Sequence, residues 1–166
     1  LEEAAAAGAE LLVLPECALT GYVFESFEEA FAPALDAPGP ETEALAAACA
    51  RSGVRLVQLS SDYVFDGDAE RPYREDDPTG PRSVYGASKL EGERQALGAP
   101  GALVVRTSWV FGGGGTNFVD TIAGRLRRGE GPLRVVTDQV GGPTYAPFLA
   151  KALADLGESG AAGVVH

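Results

Sequence analysis

The sequence predicts an α/β fold in which three layers are built around a parallel sheet. Short apolar runs suited to buried strands recur at residues 11–15, 55–60, 102–107 and 133–137, with a further edge at 164–166. Stretches rich in Ala, Leu, Glu and Lys, of helical composition, lie between them. The run at 55–60 also ends in small hydroxyl residues, Ser60 and Ser61. Ligands bind at such carboxyl ends in open α/β sheets.

Taken in order, EEAAAAG at 2–8 reads as the end of a helix with a Gly stop, and the run at 11–15 is closed by Pro15 and Glu16. Residues 22–35 alternate aromatics with acids, as an irregular or partly helical surface segment does. Pro-Gly-Pro at 38–40 is a firm break, and ETEALAAACAR at 41–51 is a helix stopped by Ser52 and Gly53 before the strand at 55–60. An acidic, Pro-rich loop follows. Residues 83–97 regain helical density, with Tyr85 and Lys89 four apart and so on one face.

Downstream, the strand at 102–107 leads to Trp109, placed past a carboxyl end on the sheet edge of Ser61, where it lines a pocket or fills a core. Gly112 to Gly115 is a glycine run without the Gly-Lys-Ser/Thr ending of a phosphate loop, so a flexible loop is expected. Residues 117–128 make an amphipathic helix with Arg125, Arg127 and Arg128 in its last turns, where cations suit the dipole. After the strand at 133–137, Gly141, Gly142 and Pro143 turn the chain into a closing helix. Thr144 suits the entry to that helix.

With 166 residues, 45% of them apolar, the chain has material for one core. A net charge of −11 argues against nucleic acid or an anionic membrane as partner, since both require a basic surface. No run approaches the roughly 20 apolar residues of a membrane span, and no secretory leader is visible, so a cytoplasmic protein is expected. Cys17 and Cys49 are too few for a disulfide framework or a zinc site, and no metal site is predicted. The chain has no Met, even at position 1, and reads as trimmed, processed or fragmentary.

A phenol, an ammonium and a hydroxyl at one strand end suit carbonyl reduction. Hydride arriving at a ketone carbon leaves charge on its oxygen, which a site must meet with a proton and hydrogen bonds. Tyr85 offers the proton, and an ammonium nearby favours the phenolate, easing release of a proton whose ordinary pKa is about 10. Ser61 can hydrogen-bond the carbonyl oxygen. The rival reading is a surface Tyr and a solvated Lys on an ordinary helix.

The blocks SSDYVFDG, PYREDDP, YGASKLEGE, RTSWVFG, NFV and VVTDQVGGPTYA, over about residues 42–166, resemble in order those of the dTDP-4-dehydrorhamnose reductases, extended short-chain dehydrogenase/reductases of Rossmann-like fold. The resemblance implies reduction of a nucleotide-linked 4-keto-6-deoxysugar with NADPH or NADH. It gives Tyr85 the role of proton donor and Lys89 that of holding the nicotinamide ribose, so that both are cofactor-binding. Ser61 stands where that family usually has Thr, and Ser61, Asp62 and Trp109 match positions near the bound sugar nucleotide. A homodimer is the assembly to look for.

A second resemblance covers about residues 1–55. GAELLVLPECALTGY is similar to the first catalytic block of the carbon-nitrogen hydrolases, the nitrilase superfamily, and Glu16 matches its general base. The Lys and nucleophilic Cys of that chemistry are not present in their own motifs, so the Glu has nothing to activate. Both families run helix, Gly turn and strand here, and a chimera joined within about residues 41–57 is expected. The implied organisation is a nitrilase-like fragment at 1–54 packed into the same domain as a reductase-like part at 55–166, truncated at both ends. The strand, Gly-rich turn and helix that receive a cofactor pyrophosphate are missing, so weak or no NADPH binding is expected of the isolated chain. The alternatives are a non-catalytic sugar-nucleotide-binding module and a carbon-nitrogen hydrolase fragment.

Overall fold

The computed structural model describes residues 40–113 and 117–166. The expected strand at 11–15, together with Glu16 and Cys17, lies outside them. The described residues fall into two compact units, one of 40–106 with 161–166 and one of 107–160.

In the first unit, helix α1 (Pro40–Ser52) carries the Ala-rich run across the expected seam. Gly53 ends it at φ +64°, a left-handed conformation natural to glycine, and Val54 N–H donates to the Cys49 carbonyl at 3.1 Å. The Cys49 thiol is buried, and that burial raises its pKa. Strand β1 (Val57–Ser61) follows and runs into a single 3-10 turn at Asp62–Val64. Helix α2 (Val84–Ala96) packs on both β1 and that turn.

Strand β2 (Leu103–Thr107) lies between β1 and the final strand β5 (Gly163–Val165), giving the sheet order β1-β2-β5. β2 and β5 are parallel, with Leu103 opposite Gly163 and Val105 opposite Val165. Leu103, Val104 and Val64 are fully buried, and Val64, Phe65 and Leu90 form one apolar cluster. Each fully buried Leu or Val contributes about 1.5–3 kcal/mol. This sheet is the reason for an apolar LVV run: its residues are covered on both faces.

The acidic loop between β1 and α2 is laced to itself. The Phe65 and Tyr73 rings stack at 4.2 Å, and Tyr73 Oη donates to Asp66 at 2.6 Å. That bond, followed by one from the Asp68 N–H, holds the Asp66 carboxyl below its usual range. Arg71 grips Asp77 with two bonds of 2.7 Å, the Arg74 N–H adds a third of 2.7 Å, and Arg82 pairs with Asp68.

The second unit contains strand β3 (Val110–Phe111), helix α3 (Phe118–Arg127), strand β4 (Thr144–Tyr145) and helix α4 (Ala146–Ser159). β3 and β4 pair in parallel, with Val110 opposite Thr144. Asn117 caps α3 by accepting from the Asp120 N–H at 2.9 Å. Arg125 and Arg128 both close on Glu130 at 2.7 Å, a salt-bridged stop to the helix. Gly160, at φ +74°, ends α4.

One expected element does not form. Residues 133–137 are not a strand, and Val135 and Val136 are 48% and 65% exposed. An apolar run becomes a strand only where a neighbouring edge accepts its backbone hydrogen bonds. The described strands pair only as β1-β2-β5 and β3-β4, and residues 133–137 lie against none of them as a strand. The α/β class with parallel strand pairing is as expected. Among the described residues no helix is long and apolar enough to cross a membrane.

Candidate active site

Ser61, Asp62, Tyr85 and Lys89 lie in the first unit, at the end of β1 and the start of α2. Ser61 is the last residue of its strand and caps the 3-10 turn. Its hydroxyl donates to Asp62 Oδ1 at 3.0 Å and accepts from the Tyr63 N–H at 3.2 Å. Donation to a substrate oxygen therefore requires the Ser61 proton to turn away from Asp62. Sequence spacing gives no hint of that competition.

Helix α2 begins where it does because Ser83 caps it, accepting from the Gly86 N–H at 3.0 Å. Gly86 is buried against the 3-10 turn. A Cβ there would collide with the Tyr63 carbonyl oxygen and lie 3.0 Å from Pro81 Cβ. Absence of a side chain thus seats the first turn of α2 directly on the backbone that follows Ser61.

That contact brings Tyr85 next to the strand end. Its ring meets the Tyr63 ring edge to face, with centroids 5.7 Å apart, and Lys89 Nζ lies 5.6 Å from the Tyr85 centroid. Such separations suit aromatic and cation–π attraction. Tyr85 is half-exposed, and its phenol shares a helix face with the Lys89 ammonium. A phenol hydroxyl and a three-donor ammonium together are a donor set suited to ribose hydroxyls.

Two turns further along the same face is a residue that motif reading passed over. Glu93 is only 2% exposed. It accepts from Ser60 Oγ at 2.5 Å, from Arg106 Nε at 2.8 Å and from Arg106 Nη2 at 2.7 Å. Arg106 is itself buried on β2, its guanidinium 5.0 Å from the Phe65 ring centroid, and its Nη1 donates to the Glu75 carbonyl at 3.3 Å. Glu93 thus ties the helix of Tyr85 and Lys89 to both strands, at the residue adjoining Ser61. The available signal was an Arg inside an otherwise apolar strand, which demands a buried acid somewhere.

Trp109 lies in the second unit, between β2 and β3. It is the one described non-glycine residue with positive φ, at +46°, and it is 44% exposed, so it is not a core tryptophan. Thr144 faces the same segment. Its N–H donates to the Trp109 carbonyl at 3.3 Å, and Thr107 Oγ1 donates to its Oγ1 at 3.1 Å.

A family model described as the RmlD substrate binding domain matches residues 13–166. The dTDP-4-dehydrorhamnose reductase of Mycobacterium tuberculosis is 52% identical over 145 residues, covering 83% of this chain and 47% of that protein. A solved dTDP-4-dehydrorhamnose reductase from Clostridium acetobutylicum superposes with a TM-score of 0.70 at 41% identity, over 75% of this chain and 44% of that one. One from Bacillus anthracis, in complex with NADP, gives 0.69 at 37% identity over 75% and 44%. The chain spans about half the length of the curated relatives it matches. A parallel α/β scaffold, the Tyr85 and Lys89 pair on a helix capped by Ser83, and a family match over residues 13–166 have one reading: the chain belongs to the RmlD substrate binding domain family, that of the dTDP-4-dehydrorhamnose reductases.

Proposed function

We propose that this chain supplies the proton-donating helix and the sugar-nucleotide contacts of a cytosolic NAD(P)H-dependent reductase acting on a nucleotide-linked 4-keto-6-deoxysugar, of the dTDP-4-dehydrorhamnose type. The observation that carries the reading is the Tyr85 phenol with Lys89 Nζ 5.6 Å from its ring, on a helix seated against the turn after Ser61. Relatives at about half identity bear the name of that reductase, and a solved neighbour carries NADP, which supports the same cofactor class.

A bound NAD(P)H would supply the hydride. In the proposed step Tyr85 Oη gives its proton to the sugar's ketone oxygen as the carbonyl carbon gains hydride, so the C=O π pair becomes the new O–H bond. The phenolate left behind is stabilised by the Lys89 ammonium and later takes a proton from solvent. Lys89 and Tyr85 would also hold the nicotinamide ribose. Ser61, once turned from Asp62, donates to the same ketone oxygen. Asp62 and Trp109 are assigned to the sugar nucleotide.

In the full-length protein, Tyr85→Phe is expected to abolish NADPH oxidation by the dTDP-linked 4-keto sugar while calorimetry still records sugar-nucleotide binding. A protein that binds dTDP-sugar with no turnover to lose would instead be a non-catalytic module, and unchanged turnover in Tyr85→Phe would overturn the assignment. For residues 1–55 we infer a joined fragment of hydrolase likeness without hydrolase activity, because Glu16 stands there without the Lys and Cys motifs that amide chemistry needs.

A further inference from the structure

We propose that Gly141 is a positioning residue for Trp109, its missing side chain fixing the attitude of the indole as a platform for the apolar face of a sugar ring. The ligand part of this proposal rests on the sugar-nucleotide reading above. A Cβ built on Gly141 would lie 2.9 Å from Trp109 Cε2, 3.0 Å from Cζ2 and 3.3 Å from Cδ2. Cε2 and Cδ2 are the two ring-fusion carbons, and a group close to both stands over the face of the indole, not at its rim. The Gly141 peptide therefore backs the ring, which remains 44% exposed.

The glycine is required by the ring alone. The Gly141 φ lies outside the left-handed region, so its own backbone conformation would accept alanine without strain. Its neighbour Gly142 is equally unconstrained and has no atom within 4 Å of a built Cβ. The two positions differ only in what a methyl group would meet.

Trp109 is held from its other attachments as well. Its backbone sits at φ +46°, where a bulky residue is an outlier that persists only when its surroundings over-determine it. The surroundings do so here. Ser108 Oγ donates to the Gly142 carbonyl at 2.6 Å, and the Thr144 N–H donates to the Trp109 carbonyl at 3.3 Å. Val110 and Phe111 then pair with Thr144 and Tyr145. A segment tied at 108, 109 and 110 to partners at 142 and 144, with Gly141 under the ring, sets both the place and the tilt of the indole. A flat π face so presented suits the C–H face of a pyranose.

The test uses Trp109 as its own reporter, because it is the chain's only tryptophan. Emission spectra and acrylamide quenching are compared for wild type, Gly141→Ala and Gly142→Ala, with thermal melts to verify equal folding. Gly141→Ala is expected to shift the emission and raise the quenching constant, while Gly142→Ala leaves both unchanged. Identical spectra for all three, or equal changes in both variants, would overturn the positioning role. Calorimetry then compares dTDP-rhamnose with dTDP. Gly141→Ala should weaken dTDP-rhamnose about fivefold and leave dTDP within about twofold, the size of one lost ring contact. Altered emission with undiminished dTDP-rhamnose affinity would refute the platform. If wild type binds neither probe, the sugar-nucleotide reading fails, and the emission comparison still decides what Gly141 does.

Discussion

Deleting the Glu93 carboxylate strips three hydrogen bonds from a site that is 2% exposed: 2.5 Å from Ser60 Oγ and 2.8 and 2.7 Å from Arg106. Glu93→Ala leaves the Arg106 guanidinium buried on β2 with its counter-ion gone. Two charge-assisted bonds at about 1.5–3 kcal/mol each give about 3–6 kcal/mol. The independent figure for breaking a buried ion pair, about 3–5 kcal/mol, agrees. A domain of this size is stable by only about 5–15 kcal/mol, so the variant should sit near its unfolding threshold. Urea titration followed by far-UV circular dichroism reads the loss as a lower midpoint at constant slope. The double variant Glu93→Leu with Arg106→Met removes both charges and should recover most of that loss, because apolar replacement of a whole buried pair is often neutral or stabilising. A fall of less than about 1 kcal/mol in Glu93→Ala, or a double variant no better than the single one, would refute the clamp.

Two further outcomes follow from the same geometry. Gly86→Ala drives a methyl into the Tyr63 carbonyl, which as backbone cannot swing aside, and should destabilise the chain by about 1–3 kcal/mol in the same titration. A fully native melt would show that α2 does not rest on the 3-10 turn. In the loop, the Arg71 side chain, followed by the Arg74 N–H, holds the Asp77 carboxyl well below the ordinary carboxylate range. A depressed folded-state pKa means stability that is present above the unfolded value of about 3.9 and is lost as pH falls through the folded value. Arg71→Ala should therefore raise the Asp77 pKa, read by carboxyl NMR titration, and flatten the acid limb of stability. An unmoved titration would refute the latch.

Much of this architecture is written locally in the chain. The Ser60 and Ser61 hydroxyls mark the end of β1, and the strands expected at 55–60 and 102–107 form at Val57–Ser61 and Leu103–Thr107. The helix of Tyr85 and Lys89 is legible from composition and from Ser83, whose cap fixes its first residue. What composition cannot carry is the choice of partner. Glu93 sits in a polar helical run as a solvated acid would, and only the fold turns it toward an arginine 13 residues away. The run at 133–137 is the converse: its valines satisfy a strand pattern, and no sheet edge receives them. Gly141 is similarly opaque, since a glycine before a Pro-containing turn looks like turn chemistry until the indole behind it is in view.

The pairing of β2 with β5 has a consequence for how the chain assembles. Arg106 on β2 and His166 just after β5 approach to 3.4 Å from positions 60 residues apart, with the entire second unit threaded between them. Closing so long a loop is slow relative to local helix formation. During vectorial synthesis, the edge of β2 that β5 will cover therefore waits, unpaired and apolar, until Gly163–Val165 emerge. That interval leaves a strand able to recruit the wrong chain, and it makes the three residues Gly163 to Val165 guardians against aggregation as much as parts of the sheet.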